Sequence, residues 1–478
     1  MSYVVNGYQP KRVFEIFEDL CAIPHGSGNE QGIAEYIERF AAERGLNASK
    51  DETGNVFIRK NATAGYEGKA AILLQGHMDM VCEKNADSNH DFLRDGLKLS
   101  VKDGYLWADG TTLGADNGIA VAMMLALLET EKHPTLECLF TVEEETGLAG
   151  AKGFDCSVIT ARQMINLDSE EEWMITAGCA GGCRTEVEFT SDPVDVPENA
   201  TAIRISVTGL SGGHSGAEIH CGKTNALVAL GRILGAIEEK TKVSLISVSG
   251  GGKDNAIARE AFATIAVSDE NLATVSAANE VWGIKKELSA DDCGFTVNID
   301  SVPLAKKCIN EATSKNIIAF LTSVKTGVLK MSNDIKGLVE YSRNLGVASS
   351  DGGNVRFTLS SRSSIEAQLD LSCREMNALS HLVSADCKHY ARYPGWEYAP
   401  ESALRDRYIS AYKELYDKEP QVGVIHAGLE CGILSSKLQG MDIISVGPNM
   451  FDIHSPDEHL DLASCERVWK LLLKVITE

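Results

Sequence analysis

The stretch Ala70-Ala71-Ile72-Leu73-Leu74-Gln75-Gly76-His77-Met78-Asp79 decides how the chain is read. Ala70 to Leu74 is a continuous apolar run of strand length, as expected of a strand covered on both faces. Where the run stops, His77 and Asp79 follow. Strand side chains repeat every two residues, so these two project from the same face. That geometry suits one ligand and one residue that orients it. Taken alone, an H-x-D triplet is common by chance, and an ordinary packed histidine accounts for it.

Outward from this stretch, helix and strand patterns alternate. Residues 11–44 carry helical spacing at Val13, Phe14, Phe17 and Leu20, then at Ile33, Tyr36, Ile37 and Phe40. They end at Gly45, a natural helix stop. Asn55 to Ile58, Leu136 to Val142 and Met164 to Leu167 read as strands, and Gly118 to Leu128 as a buried helix. The alternation predicts an α/β layer structure. Near residue 185 the character changes. TEVEF at 185–189 and AIRISVTGL at 202–210 alternate apolar and polar residues, which predicts a sheet with one solvated face. A helix is predicted over 224–239, and further alternation runs over 261–267 and 355–371. From about 395 the buried character returns, with a helix at 402–416, apolar segments at 421–425 and 441–446, and a closing helix at 461–477. The simplest organisation is an α/β domain made of residues 1–186 and 395–478. An α+β insert of one or two lobes, residues 187–394, interrupts it.

The chain has 478 residues, a formal net charge of −23, 44% hydrophobic and 24% charged content. These proportions are ordinary for a soluble globular protein with room for several domains. The acidic excess argues against a nucleic-acid partner, whose phosphates need a basic face. No run of about 18 apolar residues is present, so no membrane-spanning helix is expected. The opening MSYVVNGYQPKR lacks a basic start followed by an apolar run, and the cytoplasm is the expected address. Thirteen cysteines scattered from Cys21 to Cys465 imply no disulfide framework. Cys179 and Cys183, in AGCAGGC, read as small residues in a Gly-rich turn in preference to a metal or redox pair.

Four further clusters place acids or histidine in turns and at strand ends: Asp116 in TLGADNG, Glu143 to Glu145 in FTVEEETG, Asp168 in NLDSEEE, and His454 in IHSPDEHLD. Each has a plain alternative. Asp116 and Asp168 suit turn or helix caps, the glutamates suit a solvated charge run, and His454 suits an ordinary loop. Their combination changes the reading. Sites in open α/β sheets form outside the carboxyl ends of the strands, so these clusters can converge on one rim. Gathered carboxylates repel unless cations neutralise them. Two divalent cations would balance Asp116, Glu145, Asp168 and a bound hydroxide, with His77 and His454 completing the set as neutral imidazoles. Mixed N and O donors suit zinc, with manganese or cobalt also possible.

Together the clusters resemble the co-catalytic zinc metallopeptidases, a family that includes aminoacylases, glutamate carboxypeptidases and dipeptidases. The resemblance rests on AIPHGSGNE at 22–30, GNVFIRK at 54–60, GHMDMVCEKN at 76–85, TTLGADNGIA at 111–120, EEETGLAGA at 143–151, NLDSEEE at 166–172, CAGG at 179–182, GLSGGHSGAEIHCGKTNA at 209–226, HAGLECG at 426–432 and HSPDE at 454–458. These motifs span nearly the whole chain. Within the family the pattern is most similar to dipeptidases that cleave Xaa-His substrates.

The resemblance implies a mixed-sheet zinc-peptidase catalytic domain with an inserted α+β lid domain. It implies two divalent metal ions, His77 and Asp168 on one, Glu145 and His454 on the other, with Asp116 bridging. It implies Asp79 as the residue orienting His77, Glu144 as general base, and a cis peptide after Asp116. The pair of glutamates stands just before Thr146-Gly147, which leaves Glu143 as an extra acid. His214 in GGHSG matches the histidine that closes over the substrate, from its own chain or a partner subunit. Asn255, Arg362 and Glu430 are the implied substrate contacts. The implied activity is hydrolysis of small peptides such as Xaa-His, including β-alanyl-histidine, by a metal-bridging hydroxide. An N-acyl amino acid deacylase, a tripeptidase and a non-catalytic metal-binding relative are the competing readings. A homodimer through the insert, with helix 224–239 as the surface, is a further expectation.

Overall fold

The apolar run forms the strand Ile72–His77, buried at every position, in a computed structural model that describes residues 3–333 and 335–478. This strand lies between Leu136–Thr141 and Gln163–Asn166 and is parallel to both. Asp442–Ser445 extends the parallel set beyond Gln163–Asn166. Four strands thus end on one side of the sheet, and the loops that follow them carry Asp79, Glu143 to Glu145, Asp168 and His454. Further strands complete an eight-stranded mixed sheet in the order Asn47–Lys50, Val56–Lys60, Leu136–Thr141, Ile72–His77, Gln163–Asn166, Asp442–Ser445, Met174–Cys179, Gln421–Ile425.

Helix Ala115–Leu127 is buried at every residue except Asp116. Such an all-round apolar helix belongs in a core, and it packs against helix Lys11–Cys21 and against the central strand. Truncating one of its leucines, Leu125→Ala, would cost about 2–5 kcal/mol. The helical spacing over 11–44 resolves into two helices, Lys11–Cys21 and Gln31–Glu43. The break contains Pro24, which disfavours helical backbone at Ile23. Gly45, at φ 65°, follows the second helix.

The chain falls into two compact units. One holds the chain up to Cys179 with Trp396–Val424 and Leu429–Glu478; the other is Ala180–Gly395 with Ile425–Gly428. The second unit is built on a nine-stranded antiparallel sheet that includes Gly181–Phe189, Thr201–Thr208, Ala261–Val267, Val339–Asp351 and Asn354–Ser363. Thr185, Val187 and Phe189 are buried, and the alternating Arg184, Glu186 and Glu188 are not, which matches the predicted single solvated face. The alternation expected over 355–371 ends early. The strand stops at Ser363 and the helix Glu366–Leu382 begins. Its buried positions Leu369, Ser372, Met376 and Ser380 have helical spacing, which overrides the local Leu-Asp-Leu alternation.

The helix expected at 224–239 is Ala226–Glu238, capped by the Asn225 side chain on the Leu227 and Val228 amides. Its Leu227, Leu230, Ile233, Leu234 and Ile237 are buried in this unit's own core. They leave no exposed apolar stripe on that helix for a second copy. Among the described residues no helix is long and apolar enough to cross a membrane.

Candidate active site

The first unit assembles its acids and histidines from five loops. His77 closes the central strand and is 1% exposed. Its Nε2 lies 3.1 Å from Asp116 Oδ1 and 3.5 Å from Asp168 Oδ1. The other Asp116 oxygen, Oδ2, lies 3.1 Å from His454 Nε2, which is also 2.9 Å from Glu145 Oε1. One carboxylate therefore presents one oxygen to each of two histidines. Each histidine has one further acid, Asp168 or Glu145.

Three enclosed polar side chains hold these loops. Asp79 sits beside His77 Nδ1 at 3.3 Å. It also accepts hydrogen bonds from the Ser27 hydroxyl (2.8 Å) and from the Glu144 and Glu145 amides (3.0 and 3.3 Å). It thus fixes the imidazole and the glutamate loop together. Asn117 accepts from the His77 amide and donates to the Leu167 carbonyl, joining the ends of two strands to the start of the buried helix. Glu458 accepts from the Leu113, Gly114 and Ala115 amides at 2.7, 3.0 and 2.8 Å, which anchors the turn leading into Asp116. Asp116–Asn117 is a cis peptide, as the resemblance implied. His454 has a left-handed φ of 59°, a backbone state a non-glycine residue adopts only when its surroundings hold it.

The electrostatics follow from this crowding. Burial alone would depress His77, but the carboxylates of Asp116, Asp168 and Asp79 outweigh it and hold its pKa well above the usual range. Hydrogen bonds to Asp116 and Glu145 raise His454 to about 10. Burial favours a raised Asp116, yet His454 and His77 pull it below the ordinary carboxylate value. Burial, with Asp116 and Glu430 adding, pushes Asp168 up to about 7. Burial, reinforced by Asp168, Glu430 and Glu145, holds Glu144 well above the usual range.

The donor chemistry fits cations. Ligand atoms of His77, Asp116 and Glu145 all lie within 4.8 Å of one another and could hold a metal ion. Two donors at about 2.0–2.1 Å from one tetrahedral cation sit roughly 3.3 Å apart, close to the 2.9–3.5 Å separations here.

Glu143 lines a separate surface cavity with Glu30, Lys50 and Asp51. Glu430 is fully enclosed, accepting from Gln75 and Thr141; burial first of all lifts it to about 6. In the second unit, His214 and Asn255 line one open cavity of about 750 Å³. His214 Nδ1 accepts from the Ala217 amide at 3.1 Å, which leaves the ring proton of the neutral form on Nε2. Arg362 is buried beside the Tyr393 hydroxyl, and its Nε finds no partner among the described residues. His426, quoted only as part of a motif, is bonded to Ser342 at 2.7 Å. Burial, then Arg362, drops its pKa to about 3. The sequence reading also missed Glu458, whose only signal was its place in HSPDE.

Residues 73–478 match peptidase family M20/M25/M40, and the chain belongs to that family. It is 38% identical over 477 residues to the cytosol non-specific dipeptidase of Escherichia coli (strain K12), covering 98% of each chain. The crystal structure of aminoacylhistidine dipeptidase from Vibrio alginolyticus superposes with a TM-score of 0.93 at 34% identity, covering 99% of this chain and 98% of that one. A tripeptidase structure from Staphylococcus aureus shares the fold, with a TM-score of 0.57 at 16% identity over 98% of each chain.

Proposed function

We propose that the protein is a metal-dependent dipeptidase that hydrolyses Xaa-His dipeptides, β-alanyl-histidine among them, using two divalent cations, zinc by preference. The observation that carries this reading is Asp116, whose two oxygens face two histidines on opposite sides. In this reading His77 and Asp168 would hold one cation, His454 and Glu145 the other, and Asp116 would offer one oxygen to each. The names of the relatives from Escherichia coli and Vibrio alginolyticus support the substrate class, and the first of them supports a cytosolic address. When bound, the cations would acidify water and polarise the peptide carbonyl.

The chain's own residues supply the rest. Glu144 takes the proton of the attacking water and returns it to the leaving amine. A carboxyl tuned upward by burial is suited to that exchange near neutral pH. Asp79 holds the His77 ring. Glu430, enclosed under Gln75 and Thr141, positions neighbouring groups and is not a substrate contact. His214, with its proton on Nε2, donates to the developing oxyanion. Asn255 contacts the bound peptide, and Arg362 offers its unpartnered guanidinium edge to the free carboxylate.

The test is a panel of dipeptides, tripeptides and N-acyl amino acids, assayed before chelation, after it, and after add-back of zinc, manganese or cobalt. Dipeptide cleavage that disappears and returns with the metal is expected. Faster turnover of tripeptides or acylated amino acids would overturn the substrate assignment, and metal-independent cleavage would overturn the mechanism. Two bound metals with no turnover of any substrate would make the chain a metal-binding relative.

A further inference from the structure

Three metal-ligating side chains with no part in the proposed reaction, Cys183, Cys373 and His389, meet in the second unit, with Cys387 beside His389. Cys183 lies on the strand Gly181–Phe189, and Cys387 and His389 lie on Asp386–Tyr393, the last strand of the sheet. The register sets His389 opposite Thr185 and Cys387 opposite Val187. With Cys183 two residues from Thr185, all three side chains project from one face. The helix Glu366–Leu382 packs on both strands and contributes Cys373. The two sulfurs of Cys183 and Cys373 are 3.7 Å apart, and Cys387 Sγ is 3.9 Å from His389 Nε2. Ligand atoms of Cys183, Cys373 and His389 all lie within 4.8 Å of one another.

These separations have a chemical meaning. Two thiolates at about 2.3 Å from a tetrahedral zinc ion sit roughly 3.8 Å apart, and a thiolate and an imidazole on the same ion roughly 3.5 Å apart. A disulfide would need its sulfurs at about 2.05 Å. His389 Nδ1 lies 3.0 Å from the Thr185 hydroxyl, a contact of the kind that fixes a ligand imidazole. Nε2 faces the exposed Asn377 amide at 3.1 Å, which an incoming ion would displace. A coordinated thiol gives up its proton outright.

We propose that Cys183, Cys373, Cys387 and His389 form a structural zinc site of the Cys3His class. It ties the helix Glu366–Leu382 to the edge strand of the sheet.

The test uses the full-length protein loaded with cobalt(II) after chelation, beside the double variant Cys183→Ser/Cys373→Ser. The wild type should show a near-ultraviolet sulfur-to-cobalt charge-transfer band. The double variant should lose the band and one metal ion per chain, with dipeptide hydrolysis unchanged. The centre in the first unit offers only nitrogen and oxygen donors, so it cannot produce this band, and failure of the peptidase reading would appear separately in the hydrolysis assay. Should the double variant fail to fold, His389→Asn and Cys373→Ser provide the same comparison singly. A wild type without the band, with metal content equal to that of the variants, overturns the proposal. So does recovery of Cys183 and Cys373 as a disulfide from unreduced protein without an additional metal.

Discussion

Replacing Glu458 with alanine removes the acceptor on which the turn before Asp116 rests. Its Oε2 takes the Leu113 and Gly114 amides, and its Oε1 takes the Ala115 amide, with the Asp116 amide 3.4 Å from the same oxygen. The side chain is 2% exposed, so water cannot take its place without the turn opening. Each buried amide left unpaired costs about 1–3 kcal/mol. Three of them give a range of about 3–9 kcal/mol before relaxation, and partial opening to solvent brings the expected loss to the lower end, about 3 kcal/mol. For a cooperative unit of 150–250 residues that is a fall of about 6–12 °C in melting temperature.

Glutamine is the sharper probe. Burial, with the Asp116 charge adding, lifts Glu458 to about 7, so losing the charge relieves part of the desolvation cost. The amide nevertheless offers one acceptor oxygen where the carboxylate offers two, and its NH2 would face a backbone N–H. Glu458→Gln should therefore melt between wild type and Glu458→Ala. Both variants should bind cations more weakly, because Asp116 loses its fixed approach. Calorimetric melting of chelated protein and titration with zinc read the two effects. Both variants melting with the wild type and binding zinc equally would refute the claim that this carboxylate places Asp116.

Cation uptake near pH 8 should release at least one proton per chain, since hydrogen bonds to Asp116 and Glu145 raise His454 to about 10 in the cation-free protein. Titration in buffers of different ionisation enthalpy measures this, and a heat independent of buffer would contradict it. The folded-state pKa of His454 lies above its ordinary value of about 6.5. Its contribution to the cation-free fold is therefore complete below about 6.5 and lost as pH rises through about 10; melting curves at rising pH, with and without zinc, check the sign. Glu144→Gln should keep its metal while losing about 10²–10⁴ in kcat, measured by steady-state hydrolysis beside elemental analysis. His77→Ala should lower metal content, and an unchanged stoichiometry removes it from the ligand set. His214→Ala should lower kcat by about 10²–10³ with metal content unchanged; loss of metal would contradict an oxyanion role.

The sequence carried the catalytic side of the fold well because its central strands are buried on both faces. Ile72 to Leu74, Cys138 to Phe140 and Met164 to Ile165 are apolar without interruption, and an acid or histidine marks where each strand ends. The second unit was less legible. Its helices Glu270–Lys285 and Glu311–Ser323 bury few residues or alternate them with polar ones, and Glu366–Leu382 begins within a pattern that imitates a strand. The ligand candidates were visible because their residue types are conspicuous at strand ends. Glu458 and Asn117 were not, since nothing local distinguishes a carboxylate that accepts backbone amides 343 to 345 residues away from one solvated on a loop. The break at Pro24 shows the same limit from the other side, because apolar spacing alone does not reveal where one helix becomes two.

The charge pattern of the first unit gives the metal reading its physical basis. Asp116, Glu145, Asp168, Glu144 and Glu430 crowd around the enclosed His77 and the more exposed His454. Without cations, the protein meets this by holding protons: on His77 and His454 against their ordinary values, and on Asp168 and Glu144 to higher pH than exposed carboxyls would keep them. Protons and divalent cations thus compete for the same positions. A solvated patch of acids would show no such competition, because each carboxylate could ionise independently in water. Nor would it need Asp79, Asn117 and Glu458, all nearly or fully buried, to hold the loops at fixed separations. Buried side chains whose hydrogen bonds end on neighbouring site loops are hard to explain as surface charge. They are what a site requires if it must hold like charges together until cations displace the protons.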